Sequence, residues 1–375
     1  MTGPSIEGSV APGFEKVHDA FARNFEERQE VGASFAVLRD GLAVVDLWGG
    51  FCDRQRSRAW TEDTLINVYS TTKGMTALCA AILVDRGELD YGARMTDYWP
   101  EFGAGGKDAL SVEQVLSHQA GLSGLRETIV VRDFADWSKM TRLLAAQEPF
   151  FVPGRSGYHA ITFGFLVGEL VRRISGRTVG RFFADEVALP LGADVWIGLP
   201  ESEDGRVAEI LAPLESSKMP PPRHPAGRAA LGNPVLDPEV PNERWYRAAE
   251  IPAANGQATG RGLARVYGML ARGGELGGRR ILSAEALRLA LRQRVANDDL
   301  VLQFPIRWGA GYILNDGVTY GPNRASFGHS GWGGSFACAD PDARLGIGYA
   351  MNQMGANLQG DPRSLRLLEA VYECV

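Results

Sequence analysis

Apolar residues recur at helical spacing across residues 13–28, where Phe14, Val17, Phe21 and Phe25 share one face, and this predicts an amphipathic first helix. The period then changes. Residues 33–38 and 42–48 are apolar, strand-like runs separated by Arg39-Asp40-Gly41, and Asp-Gly between two such runs predicts a hairpin. Matching pieces close the chain: a run at 335–339, the polar turn Asp340-Pro341-Asp342-Ala343-Arg344, a second run at 345–351, and a helix over 362–372. Between the two ends the period is helical, at 72–86 ending on Gly87, 112–116, 134–147, 160–175 ending on Gly176, and 179–187, with few strand signals. The pattern predicts a discontinuous α/β lobe built from residues 1–74 and 254–375, with a mainly helical lobe, 75–253, inserted between its halves. A cleft between lobes is the default place for a site. Residues 211–241, rich in proline and polar side chains, read as a surface excursion that covers the cleft as a flap.

Length and composition agree with a folded enzyme-sized chain: 375 residues, 45% hydrophobic and 22% charged. The net charge of −6 and the scattered arginines leave no basic footprint, which argues against nucleic acid or an anionic membrane and for a small-molecule partner. Cys52, Cys79, Cys338 and Cys374 lie far apart with no C-x-x-C spacing, so neither zinc nor a redox pair is implied. There is no H-E-x-x-H, and Gly103-Ala104-Gly105-Gly106-Lys107 continues to Asp108 where a phosphate loop needs Ser or Thr. No cofactor and no metal are expected. The start of the chain, Met1 to Gly8, shows no basic stretch followed by an apolar one, and no run reaches membrane-span length, so a cytoplasmic location is expected.

Chemistry concentrates at Val68-Tyr69-Ser70-Thr71-Thr72-Lys73-Gly74. A serine hydroxyl is a poor nucleophile until a base is held within hydrogen-bond reach, and lysine serves when desolvation keeps its amine neutral. Positions i and i+3 share a helix face, so Ser70 at the entry of the 72–86 helix would sit beside the Lys73 amine, with the positive end of the helix dipole favouring a developing oxyanion. Lys73 is one of five lysines, and only it has a serine three residues before it. The local pattern also fits a Ser/Thr-rich helix N-cap followed by a solvated lysine.

Other segments extend the pattern. Gly32-Ala33-Ser34-Phe35-Ala36-Val37, Asp46-Leu47-Trp48-Gly49-Gly50, Trp60-Thr61-Glu62-Asp63-Thr64, the Ser70/Lys73 run, Leu116-Ser117-His118-Gln119-Ala120-Gly121-Leu122, residues 153–169 and Gly328-His329-Ser330-Gly331-Trp332-Gly333-Gly334 follow one another in order. Together they resemble the superfamily of serine β-lactamases, penicillin-binding proteins and their esterase relatives, most closely the class C β-lactamase-like family VIII carboxylesterases. The resemblance implies a β-lactamase/DD-peptidase-like fold, an antiparallel sheet flanked by helices. It implies that Ser70 is the nucleophile and that Tyr158, in Gly157-Tyr158-His159-Ala160, shares base duty with Lys73 and relays a proton to the leaving group. It further implies that His329-Ser330-Gly331 stands where relatives carry Lys-Thr-Gly, and that the N–H groups of Ser70 and Trp332 form the oxyanion hole. Gly331, Gly333 and Gly334 would let substrate approach that strand closely.

Two positions depart from the β-lactamase pattern: Ala160 replaces the asparagine after the tyrosine, and His329 replaces the strand lysine. In relatives those residues hold the substrate amide and carboxylate, so their loss shifts the expectation to a carboxylesterase acting on small or short-chain esters. A β-lactamase, an amide or lactone hydrolase, and an acyltransferase on the same scaffold are the alternatives, with a non-enzymatic binding protein the alternative outside catalysis. An α/β-hydrolase is excluded, because Gly154-Arg155-Ser156-Gly157-Tyr158 and Gly328-His329-Ser330-Gly331-Trp332 both lack the last glycine of G-x-S-x-G. His118 reads as a loop-fixing residue, and His18 and His224 as solvated.

Overall fold

The computed structural model describes residues 5–27, 30–215 and 219–375. Arg28, at the end of the expected first helix, and Lys218 lie outside them. Helix α1 occupies Glu15–Glu26, with Val17, Phe21 and Phe25 buried and Glu15 in its first turn, where the dipole favours an anion. The hairpin strands are β2 (Gly32–Arg39) and β3 (Leu42–Gly50), and both turn residues take positive φ, 54° at Asp40 and 84° at Gly41. That backbone matches the twist of the strands it joins.

These strands belong to a nine-stranded sheet whose remaining members are β1 (Ile6–Val10), β4 (Val295–Asp298), β5 (Pro305–Trp308), β6 (Ile313–Leu314), β7 (Phe327–Ser330), β8 (Phe336–Asp340) and β9 (Leu345–Met351). The spatial order is β1-β3-β2-β9-β8-β7-β6-β5-β4, antiparallel at every step. The chain's two ends meet at the sheet centre, where Phe35 pairs with Tyr349 and Ser34 with Ala350. One face is covered by α1 and the closing helix Pro362–Tyr372, which bring Phe21, Phe25, Leu367 and Val371 against Phe35, Val37, Ile347 and Tyr349. Full burial of each such side chain is worth about 1.5–3 kcal/mol.

The other face carries the helix Gly260–Ala271. It lies directly on β9 because that strand has glycines beneath it: a Cβ on Gly346 would stand 2.1 Å from the Gly268 nitrogen, and one on Gly348 would stand 2.4 Å from the Gly260 oxygen. Against β7 lies α2 (Thr72–Asp85). The apolar spacing of its segment suggests one buried face, yet every residue from Thr72 to Leu83 is buried, because Thr162–Ser175 and Val179–Phe183 cover its outer side. A helix that is apolar all round belongs in the middle of a layer stack. Thr162–Ser175 ends as expected on Gly176, at φ 69°. Among the described residues no helix is long and apolar enough to cross a membrane.

Candidate active site

Ser70 stands at the entry to α2, half-buried, after a backbone corner at Tyr69, whose φ of 42° is unusual for a bulky aromatic residue. Two contacts hold the corner. Val68 N–H donates to the Gly256 carbonyl at 2.9 Å, and the Tyr69 ring meets Trp332 edge-on at 5.4 Å. The loop carrying Trp332 is braced in turn by the buried Arg363, which donates to the Gly333 carbonyl at 2.9 Å and to that of Gln353 at 2.8 Å while pairing with Asp361 and Glu30. Among the described residues, neither the Ser70 nor the Trp332 N–H makes a hydrogen bond to another residue.

The Lys73 amine lies 3.0 Å from Ser70 Oγ and fully inside the protein. Its other partners are acceptor-only carbonyls, Ala160 O at 2.7 Å and Ala253 O at 2.8 Å, and no carboxylate pairs with it among the described residues. Burial therefore drives its pKa well below the usual lysine range. A neutral amine has two hydrogens and one lone pair: the two carbonyls take the hydrogens, and the lone pair is left for the Ser70 proton. Lys107 shows the contrast. It too is buried, but its amine donates to the carbonyls of Ala104, Ala145 and Gln147, at the C-terminal end of the helix Trp137–Ala146, and meets no hydroxyl.

Tyr158 reaches the same point from the other side of the cleft. Its ring stacks on Trp308, 5.9 Å between centroids and 7° between planes, and the Lys73 amine lies 4.8 Å from its centre. Burial pushes the phenol pKa up; the hydrogen bond shared with Ser70 opposes this, and the Asp299 charge adds to it. Lys73 and Tyr158 are thus displaced in opposite directions, the amine toward its neutral form and the phenol toward its protonated form, both by burial.

His329 lies on β7, buried, and burial holds its pKa down near about 3. Its Nδ1 sits 2.9 Å from the Ser330 carbonyl. The imidazole is therefore neutral and offers no cation for a substrate anion. Gly331 differs from the sequence expectation. Its bare α-carbon faces the protein: a Cβ there would lie 2.2 Å from Ser335 Oγ and 2.3 Å from the Val68 carbonyl. The glycine lets β7 close onto the segment that presents Ser70.

Three supporting residues gave no signal in the sequence. The buried Asp299 carboxylate accepts from Tyr158 N–H (2.9 Å), Val301 N–H (2.9 Å), Leu302 N–H (3.0 Å) and the Ser156 hydroxyl (2.7 Å), and so pins the tyrosine loop to the turn that follows β4. Asn255 spans the Ile251–Ala254 turn, accepting from Ile251 N–H at 3.0 Å and donating to the Tyr246 and Ala249 carbonyls, which fixes the Ala253 carbonyl under Lys73. Trp308 is the platform for Tyr158. His118 acts as its loop position suggested: its Nδ1 accepts from His159 N–H at 3.1 Å, and its ring lies 4.2 Å from that of Trp308. His18 and His224 are both partly exposed, and His224 accepts from Ala226 N–H at 3.2 Å.

A family model described as Beta-lactamase matches residues 19–372. Esterase/beta-lactamase LipL of Mycobacterium tuberculosis is 39% identical over 364 residues, covering 94% of this chain and 84% of its own length. Among solved structures, a family VIII carboxylesterase superposes with a TM-score of 0.95 at 53% identity, over 99% of this chain and 100% of the other. A penicillin-binding protein homologue from Caulobacter crescentus gives the same TM-score, 0.95, at 45% identity, also over 99% and 100%.

Proposed function

The chain belongs to the beta-lactamase family, and we propose that within it this protein is a serine carboxylesterase, cleaving small or short-chain esters through an acyl-enzyme on Ser70. The observation that carries this reading is the buried, carboxylate-free Lys73 amine 3.0 Å from Ser70 Oγ. In acylation the neutral amine takes the Ser70 proton as Oγ bonds to the ester carbon. The carbonyl oxygen, now an anion, is met by the N–H groups of Ser70 and Trp332. Collapse breaks the bond to the alcohol oxygen, which takes the Tyr158 proton, and the tyrosine recovers one from the Lys73 ammonium. Water then attacks the acyl-enzyme, gives its proton to the same pair, and Ser70 leaves with a proton returned.

Ester over β-lactam follows from what the site lacks. Ala160 has no amide to hold a substrate amide, and His329 is neutral where a carboxylate would need a cation. The name of the family VIII carboxylesterase supports ester chemistry, and that of LipL gives esterase and beta-lactamase together. In a panel of p-nitrophenyl butyrate, a chromogenic cephalosporin and a small anilide, kcat/KM for the ester should exceed the others by on the order of 100-fold or more, the size of losing one or two charge-assisted hydrogen bonds. A cephalosporin turned over as fast as the ester would reverse the assignment.

The acid role of Tyr158 has its own signature. Tyr158→Phe should lower kcat/KM, which reports acylation, by about 10²- to 10⁴-fold on an alkyl ester, whose alkoxide must be protonated to leave, and by much less on a p-nitrophenyl ester, whose phenolate leaves unaided. Equal losses on both substrates would remove Tyr158 from proton delivery.

A further inference from the structure

A cavity of about 440 Å³ opens beside Ser70. Its inner end is formed by Leu125, Ile129, Phe134 and Met140, none more than 5% exposed, and one wall by the helix Pro225–Gly232 through Ala229 and Ala230. This helix sits in the proline-rich excursion and packs closely, since a Cβ on Gly124 would lie 2.4 Å from the Ala229 carbonyl carbon. Among the described residues, no Asp, Glu, Lys, Arg or His lines the cavity. The polar side chains that do are already engaged: Ser123 donates to the Gly157 carbonyl at 2.6 Å, Thr162 to that of Leu122 at 2.6 Å, and Asn233 donates to Leu125 and Glu127 while accepting from Ile129 N–H. The Tyr69 hydroxyl donates to the Pro238 carbonyl, and most of the remaining lining side chains are apolar.

A second space of only about 20 Å³ also reaches Ser70, between Tyr158, Trp308, His329 and Gln359 with Phe304 and Ile313. That is room for about one water molecule. The two spaces suit the two halves of an ester differently. The acyl group stays bonded to Ser70 while the alcohol departs and water takes its place. A large apolar cavity closed at its inner end fits the part that stays, and a space that admits about one water beside Ser70 and Tyr158 fits the exchange of alcohol for water.

We infer that the large cavity is the acyl site and that its occupant is an uncharged hydrocarbon acyl chain of about six to ten carbons, longer than the acetyl and butyryl groups that suffice for turnover. This rests on the reading of Ser70 as an esterase nucleophile. Two series separate the halves: p-nitrophenyl esters from acetate to dodecanoate, and alkyl acetates from ethyl to decyl. In the first, kcat/KM should climb about three- to fourfold per methylene until the cavity is full, the value expected for burying one CH₂; in the second it should change little. Met140→Trp, which blocks the inner end, and Ala230→Leu, which narrows the cavity from its accessible wall, should each cut the octanoate-to-acetate ratio of kcat/KM by about tenfold or more. Poor folding alone lowers both rates and leaves the ratio unchanged. A profile that falls from acetate onward, a climb confined to the alcohol series, or wild-type ratios in both variants would overturn the acyl assignment while the Ser70 reading stands. Failure to hydrolyse any ester, with Ser70 unlabelled by a fluorophosphonate, would overturn both.

Discussion

Ser70→Ala will lose fluorophosphonate labelling and its turnover of p-nitrophenyl butyrate, with kcat reduced by at least about 10⁴-fold. Loss of the nucleophile in a serine hydrolase removes the covalent route entirely and leaves only binding and the oxyanion donors, which explains both the size and the floor of the effect. The variant should fold. Ser70 is half-buried at a helix entry, and its hydroxyl contacts are to Lys73 and Tyr158, each of which keeps other partners. Its thermal midpoint should therefore stay close to that of the wild type, so a lost rate will report chemistry. Digestion of the labelled wild-type protein should place the added mass on the peptide carrying Ser70. Labelling that persists in Ser70→Ala would assign the nucleophile elsewhere and end the mechanism.

How far the sequence carried depended on where each contact comes from. The hairpin at Asp40-Gly41, the closing pair β8 and β9 and the final helix were legible because one stretch of chain holds both the period and the turn residues that define them. The edge strands were not. Ile6–Val10 is mostly exposed and has no apolar alternation, and Val295–Asp298 and Pro305–Trp308 lie at the opposite edge; backbone pairing holds such strands more than side-chain burial does. The site divides the same way. Ser70 and Lys73 are neighbours on one helix turn, so their spacing is itself a signal. Tyr158 and His329 were reached through the resemblance to a family. Asp299 lies 141 residues from the tyrosine it holds, and Asn255 acts on the Ala253 carbonyl, itself 180 residues from the lysine above it, so no local pattern could mark either.

Lys73 should show the second large effect, and its pH dependence tests the mechanism more sharply than its rate does. Lys73→Met removes the base while keeping much of the side chain's volume, and kcat/KM should fall by about 10³- to 10⁴-fold. In the wild type only the neutral amine has a lone pair for the Ser70 proton. Activity should therefore rise with pH as Lys73 deprotonates, and level off well below the range where an ordinary lysine titrates, because burial lowers its pKa. A rate that falls steadily from pH 6 to 9 would contradict this. Stability follows the same titration. The unfolded lysine holds its proton up to about pH 10.4, while the folded one gives it up at a lower pH. Between those two values the unfolded state binds more protons, so stability rises with pH and is lost progressively as pH falls toward the folded pKa. Lys73→Met lacks that slope. The thermal midpoint of the wild type minus that of the variant should grow from pH 6 to pH 9. Parallel midpoints would mean that the amine keeps its charge inside the protein, and a charged Lys73 cannot take the Ser70 proton.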